Sequence, residues 1–324
     1  MPATRVAVLL NPLSGRVRRR TYAVRARGRA LAGPLYAEAS NPDAMADAVA
    51  GFALGPDDVL CVVAGDGTLH GVLTALERLR PDSGWPILAA TPGGTTTMIA
   101  KDVGPPGGLL SYLEALRLRK AAGDGPHAGG RIVLRPVLRI AVPGSEPMAG
   151  MFLGAGTVSA GVDFFNRRLK PAGIPVSVGS PIAIARTLFT MATGGRALDR
   201  LAPPMTVRVE RGPALDGPAV FFLATTLHRM IIGARPYWGG DTGPIHLTLV
   251  ERDAQGIFRH VPRLALGRPG DRLTPERGWH SHDTPRALFG MDGWFIVDGE
   301  LHHATGAAGP LELTAARTAR WWIP

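Results

Sequence analysis

At 324 residues with a 45% apolar fraction, the chain is long enough to core two domains and too apolar to be disordered throughout. Its net charge of +10, nearly all of it from Arg, reads either as a bias of composition or as a surface for an anionic partner; with no zinc-finger spacing or RNA-binding aromatic signature, nucleic acid is not the expected one. One cysteine excludes an internal disulfide, and no apolar run approaches the roughly 20 residues that span a bilayer, so the expectation is a cytoplasmic protein.

Short, continuous apolar runs bounded by turn residues read as buried parallel strands: Val6–Leu10, Val59–Val63, Ile87–Ala90 and a weaker one at Leu35–Ala37. Cys61 lies inside the second and reads as a buried, inert thiol. Helical stretches fall between them at Tyr22–Leu31, Asp43–Phe52 and Leu69–Leu79. Asn41-Pro42 supplies a cap and a first-turn proline for the second. This alternation predicts a doubly wound α/β domain. Leu109–Arg119 reads as a further helix, and Ala121–Pro126 as a linker. Beyond it, Ile132–Val142, Met205–Val209, Ala219–Thr226, Ile245–Val250 and Trp294–Val297 read as strands joined by Gly/Pro turns, with one helix at Ile182–Met191. The second half is thus expected to be mostly antiparallel β.

Three glycine-rich turns each follow a predicted strand: Asn11-Pro12-Leu13-Ser14-Gly15, Ala64-Gly65-Asp66-Gly67-Thr68 and Thr91-Pro92-Gly93-Gly94-Thr95-Thr96-Thr97. In an open α/β sheet, ligands collect at the carboxyl ends of the strands. There glycines let backbone N–H groups approach phosphate, and helix dipoles favour the anion. Ser14, Thr68, Thr95 and Thr96 add hydroxyl donors. Neither a P-loop nor the Rossmann fingerprint is present, and an acid between Gly65 and Gly67 suits a site holding a hydrated cation. Asp66, on a turn expected to face solvent, is the candidate organiser of nucleotide and Mg²⁺. Arg16 is placed to touch phosphate. Arg18, Arg19 and Arg20 read either as a solvated helix face or as a surface for anionic lipid.

Near the C-terminus stands Asp298-Gly299-Glu300. If it continues the strand Trp294–Val297, the two carboxylates face one side and can divide labour between accepting a proton and holding Mg²⁺. The alternative is a hairpin turn at Asp-Gly with a solvated Glu after it. His280-x-His282 and His302-His303 lack the converging ligands of a zinc site. Ser159 misses the nucleophile-elbow spacing by one residue, and its glycine-rich stretch, Gly156–Gly161 with Asp163 after it, reads equally as a structural loop or as the lining of a lipid cleft.

Gly65-Asp66-Gly67-Thr68, with Asn11–Gly15 upstream and Pro92-Gly93-Gly94-Thr95 downstream, resembles the diacylglycerol kinase catalytic domain family, which includes sphingosine, ceramide and bacterial lipid kinases. Ala64 stands where that family has a first glycine, and Thr96 and Thr97 where its third motif has Gly and Asn. Val297-Asp298-Gly299-Glu300 matches the family's late Asp-Gly-Glu. The resemblance implies an ATP-binding α/β domain of the NAD kinase/diacylglycerol kinase type over residues 1–125. It also implies a sandwich-like all-β lipid-binding domain over 126–310 and a return of 311–324 to the first domain. ATP and Mg²⁺ would be the cofactors, and the acceptor a lipid at the surface of an anionic membrane, on its inner face. The implied nucleotide residues are Asn11, Ser14, Gly15, Arg16, Gly65, Asp66, Gly67, Thr68, Gly94, Thr95 and Thr96. Asp298 would be the base and Glu300 its support, with Asp66 and Glu300 facing the metal. Diacylglycerol is the default acceptor and ceramide or a sphingoid lipid the alternative. An NAD kinase shares the Gly-Asp-Gly turn, but its downstream Asn-Glu motif is missing here. A non-catalytic relative is the third reading, kept open by Ala64 and Thr97.

Overall fold

The structure is a computed structural model that describes residues 4–81, 83–95, 97–104, 107–126, 128–169, 171–172, 174, 182, 186, 199, 201–210, 212–230, 233–240, 242–265, 270 and 272–324. The chain divides into two compact units, Met1–Val137 with Arg317–Pro324, and Leu138–Ala316.

The first unit is built on four parallel strands, β1 (Val6–Leu10), β2 (Tyr36–Glu38), β3 (Val59–Val63) and β4 (Ile87–Ala90), in the order β4-β3-β1-β2. Helices α1 (Gly15–Arg18), α2 (Thr21–Ala32), α3 (Pro42–Gly51), α4 (Asp66–Leu79), α5 (Met98–Asp102) and α6 (Leu109–Ala121) connect or flank them. Val6, Val8, Leu10, Val59, Cys61, Val63, Ile87 and Ala89 form one core with α2 and α6. The alternate set, Ala7, Leu9, Leu60, Val62 and Leu88, is buried equally, as a sheet covered on both faces requires. α3 starts as expected: the Asn41 side chain accepts a hydrogen bond from the Ala44 N–H at 2.9 Å, with Pro42 in the first turn. Burial pushes the Cys61 thiol up to about 12, so it is an inert core group.

The C-terminal residues complete this unit. Trp321 pairs in parallel register with Leu88, extending the sheet beyond β4. The Trp322 indole donates to the Gly129 carbonyl at 2.8 Å, and the Tyr112 hydroxyl donates to the Trp322 carbonyl at 2.7 Å. Arg320 donates to the Pro56 carbonyl, and Arg317 pairs with Glu77 at 3.5 Å.

The second unit is rich in β-sheet. It takes the end of β5 (Arg131–Ala141), then β6 (Met148–Gly150), β7 (Phe152–Gly156), α7 (Thr157–Phe164), β8 (Pro204–Val209), β9 (Ala214–Thr225), β10 (Ile245–Glu251), α8 (Ile257–Ala265), β11 (Trp279–Thr284), β12 (Arg286–Met291), β13 (Gly293–Val297), β14 (Glu300–Ala304) and the start of β15 (Leu311–Ile323). The strand β9 is long enough to serve two layers. Its first half pairs with β8, which continues through β12 to β15, and its second half lies between β7 and β10. The two layers share one core, in which the Phe222 and Phe289 rings stack at 4.0 Å.

Two expectations are corrected here. Gly156–Gly161 is not a loop: Gly156, at φ 70°, precedes α7, which opens at Thr157. α8 is a second helix that the sequence reading missed. The expected helix at Ile182–Met191 lies outside the described residues except for Ile182 and Arg186.

Candidate functional site

In the first unit the three glycine-rich turns lie at one edge of the sheet and interlock. Asn11, just past β1, donates from Nδ2 to Thr68 Oγ1 at 2.8 Å, and its Oδ1 accepts the Leu13 N–H at 2.9 Å. One side chain therefore shapes the first turn and ties it to the start of α4. The first and third turns join through Gly93, whose carbonyl accepts the Arg16 and Val17 N–H groups at 2.9 and 3.3 Å. A Cβ on Gly15 would stand 2.6 Å from Thr95 Oγ1.

The second and third turns meet backbone to backbone. A Cβ on Gly94 would lie 2.4 Å from the Gly65 Cα, one on Gly65 2.8 Å from the Gly94 Cα, and one on Gly93 2.8 Å from the Ala64 carbonyl oxygen. This gives the glycines a second reason to be small. Gly65 and Gly94 are small because they touch each other, whatever else approaches them.

Asp66 departs further from expectation. Its turn does not face solvent: the residue is 3% exposed. Oδ2 accepts the Met98 N–H at 2.8 Å and Oδ1 the Ile99 N–H at 3.1 Å, so the carboxylate caps α5. Both N–H groups belong to the first turn of a helix, where they have no intrahelical acceptor. Thr97, at the N-cap of α5, holds φ 53° and ψ 44°, a left-handed conformation rare for a β-branched residue. Asp66 thus fixes the far end of the third turn. Sequence alone hides this role, because Asp66 and Met98 lie 32 residues apart.

Of the remaining expected nucleotide residues, Gly67 and Thr68 stand in the first turn of α4, which presents the positive end of a 14-residue helix. Ser14 is half-buried and its hydroxyl caps nothing. Arg16 and Thr95 are exposed, and the Arg16 guanidinium reaches the Pro92 carbonyl at 3.4 Å. Thr96 lies outside the described residues.

In the second unit, Asp298 and Glu300 do not share a strand face, and that expectation is overturned. Val297 pairs with Glu300, so Asp298-Gly299 is a two-residue hairpin turn between β13 and β14, with φ of 48° and 95°. Glu300 is exposed. Asp298, however, is 2% exposed, unlike a solvated turn residue. Its Oδ2 accepts the Met151 N–H at 3.0 Å, its own N–H donates to the Phe152 carbonyl at 3.0 Å, and a Cβ on Gly150 would stand 2.6 Å from Oδ2.

Among the described residues no group of three or more His, Cys, Asp or Glu side chains is placed to hold a metal ion. The histidines noted in the sequence have other neighbours. His280 bonds Glu251 at 2.7 Å, His302 lies against Phe295 with its imidazole pulled down by burial, and His303 lies edge-on to Trp294.

Residues 5–123 match the diacylglycerol kinase catalytic domain family, which covers all three turns. This segment is similar to the catalytic domain of a kinase family. The match stops well before Asp298 and Glu300. Among solved structures, a diacylglycerol kinase from Bacillus anthracis str. Sterne superposes with a TM-score of 0.61 at 14% identity, over 100% of this chain and 98% of its own. A second, provisionally named diacylglycerol kinase from that organism gives 0.63 at 16% identity, over 99% and 95%. At such identity the likeness establishes the fold: an α/β N-terminal domain followed by a β-rich one. No curated protein sequence matches the chain. No helix among the described residues is long and apolar enough to cross a membrane.

Proposed function

We propose that the chain is an ATP-dependent lipid kinase that moves the γ-phosphate onto a hydroxyl of a membrane lipid. Diacylglycerol is the first acceptor and a ceramide or sphingoid alcohol the alternative. The observation that carries this reading is the interlocked edge of the kinase domain, where Asn11, Gly65, Asp66, Gly93 and Gly94 lock three turns around the N-terminus of α4. Phosphoryl transfer asks a protein mainly for positioning and charge neutralisation, and a rigid edge with a helix N-terminus supplies both. Gly67 and Thr68 would offer backbone N–H groups, Ser14, Thr95 and Thr96 hydroxyl donors, and Arg16 a cation for phosphate oxygens.

The donor set does not fit a metal site built by the protein alone, because Asp66 is buried with both oxygens accepting N–H groups and Glu300 is exposed. Magnesium would enter with ATP as its counterion, held largely by the phosphates. We assign Asp66 to shaping the third turn, Asp298 to taking the lipid hydroxyl proton, and Glu300 to a supporting part. The exposed arginines Arg18, Arg19 and Arg20 suit attraction to an anionic lipid surface, each adding about 1 kcal/mol near that surface, weakened by salt.

The test is incubation with labelled ATP, Mg²⁺ and a panel of lipids in mixed micelles, followed by separation of phosphorylated products. Asp298→Asn is expected to keep nucleotide affinity and lower turnover by about 10²–10⁴-fold. Failure to phosphorylate any lipid alcohol would refute the reading, and phosphorylation of NAD in its place would favour the NAD kinase alternative.

A further inference from the structure

Thr226 directly follows β9 and is 1% exposed, yet its hydroxyl has no hydrogen-bond partner among the described residues. Native proteins rarely leave a buried hydroxyl unpaired, and each instance asks for a reason. Its neighbours supply one. The Met151 carbonyl accepts the Thr226 N–H at 3.0 Å and the Thr225 hydroxyl at 2.8 Å, while the Met151 N–H donates to Asp298 Oδ2 at 3.0 Å. Met151, the bend between β6 and β7, therefore bonds Asp298 through its N–H and Thr226 through its carbonyl. Thr225 donates to Met151 and accepts the Leu227 N–H at 3.1 Å, so its hydroxyl is spent on the backbone. The Thr226 hydroxyl is not.

We infer that Thr226 is a positioning residue for the lipid acceptor: its hydroxyl donates to an oxygen next to the reacting alcohol, such as an ester or amide carbonyl. The inference rests on the lipid kinase reading and adds a contact to it. A hydroxyl buried without a partner in the free protein is available to a ligand at no cost in protein hydrogen bonds.

The full-length Thr226→Val and Thr226→Ser variants test this, with KM for lipid in mixed micelles, KM for ATP, and thermal unfolding measured on each. Valine keeps the shape and removes the orphaned hydroxyl, so Tm should hold or rise. The lipid KM should rise about 10-fold, the loss expected for one hydrogen bond, with the ATP KM unchanged. Serine should restore the lipid KM. Wild-type lipid kinetics in Thr226→Val would overturn the inference alone. So would a lower Tm with unchanged kinetics, which would mean that the hydroxyl only holds a buried water. A wild-type protein inactive on every lipid would overturn the function reading and this inference with it.

Discussion

Replacing Asp66 by Asn separates two roles that sequence alone cannot. In the structure the two carboxylate oxygens accept two backbone N–H groups, at 2.8 and 3.1 Å, in a residue that is 3% exposed. An amide has one acceptor oxygen. Its NH₂ would face whichever of Met98 or Ile99 it displaced, leaving one buried N–H unpaired. That costs about 1–3 kcal/mol. Loss of the negative charge at the α5 N-terminus adds about 0.3–1 kcal/mol. The sum, roughly 1–4 kcal/mol, should move the urea midpoint down by on the order of 1 M. Turnover should fall as well, because the freed third turn carries Gly94 and Thr95. A direct phosphate or metal ligand facing solvent would behave otherwise, losing turnover with its midpoint unchanged. Urea unfolding followed by tryptophan fluorescence, alongside the labelled-ATP assay, distinguishes the two. A variant with a wild-type midpoint would refute the capping argument whatever its activity.

Two further substitutions probe the same edge. Gly94→Ala places a Cβ 2.4 Å from the Gly65 Cα, where only backbone can yield, so a loss of about 1–3 kcal/mol is expected in urea unfolding; an unchanged midpoint would show that the turns part easily. Thr97→Asn should stabilise, since Asn tolerates the left-handed conformation that Thr97 holds at φ 53° at a cost of about 1–2 kcal/mol. A Tm no higher than wild type would remove the strain argument.

The first unit was legible because its signals are redundant. Each core strand is an unbroken apolar run, Asn41-Pro42 marks the start of α3, and Trp321-Trp322 announces a buried C-terminus. In the second unit the signals thin out. β11 reads Trp-His-Ser-His-Asp-Thr, whose polar residues take partners on neighbouring elements, as His246 does with Asp283 at 2.7 Å. Without those partners in view, the stretch shows no alternation to read. α7 contains Thr157, Val158, Gly161 and Val162, all weak helix formers, and α8 contains Pro262. Tertiary packing overrides propensity in both. The interlocked turns were visible as motifs, but their mutual contacts were not, because nothing local records that Gly65 and Gly94 touch.

Asp298-Gly299 shows most clearly what sequence logic left out. Strand continuation and hairpin turn stood as rivals, with proton transfer attached to the first and a solvated, idle acid to the second. The backbone settles on the hairpin, with positive φ at both residues. Yet β13 lies between β14 and β7, so its turn emerges beside the interior strand β7, not at an open edge. There Asp298 bonds Met151 with its carboxylate and Phe152 with its N–H. A non-glycine residue held at φ 48° persists only where the surroundings fix it, and these two bonds do so. The turn aims the carboxylate into a buried setting that a continuing strand would not give it. Turn and candidate base are therefore one feature, and the rivalry between them dissolves once burial is known.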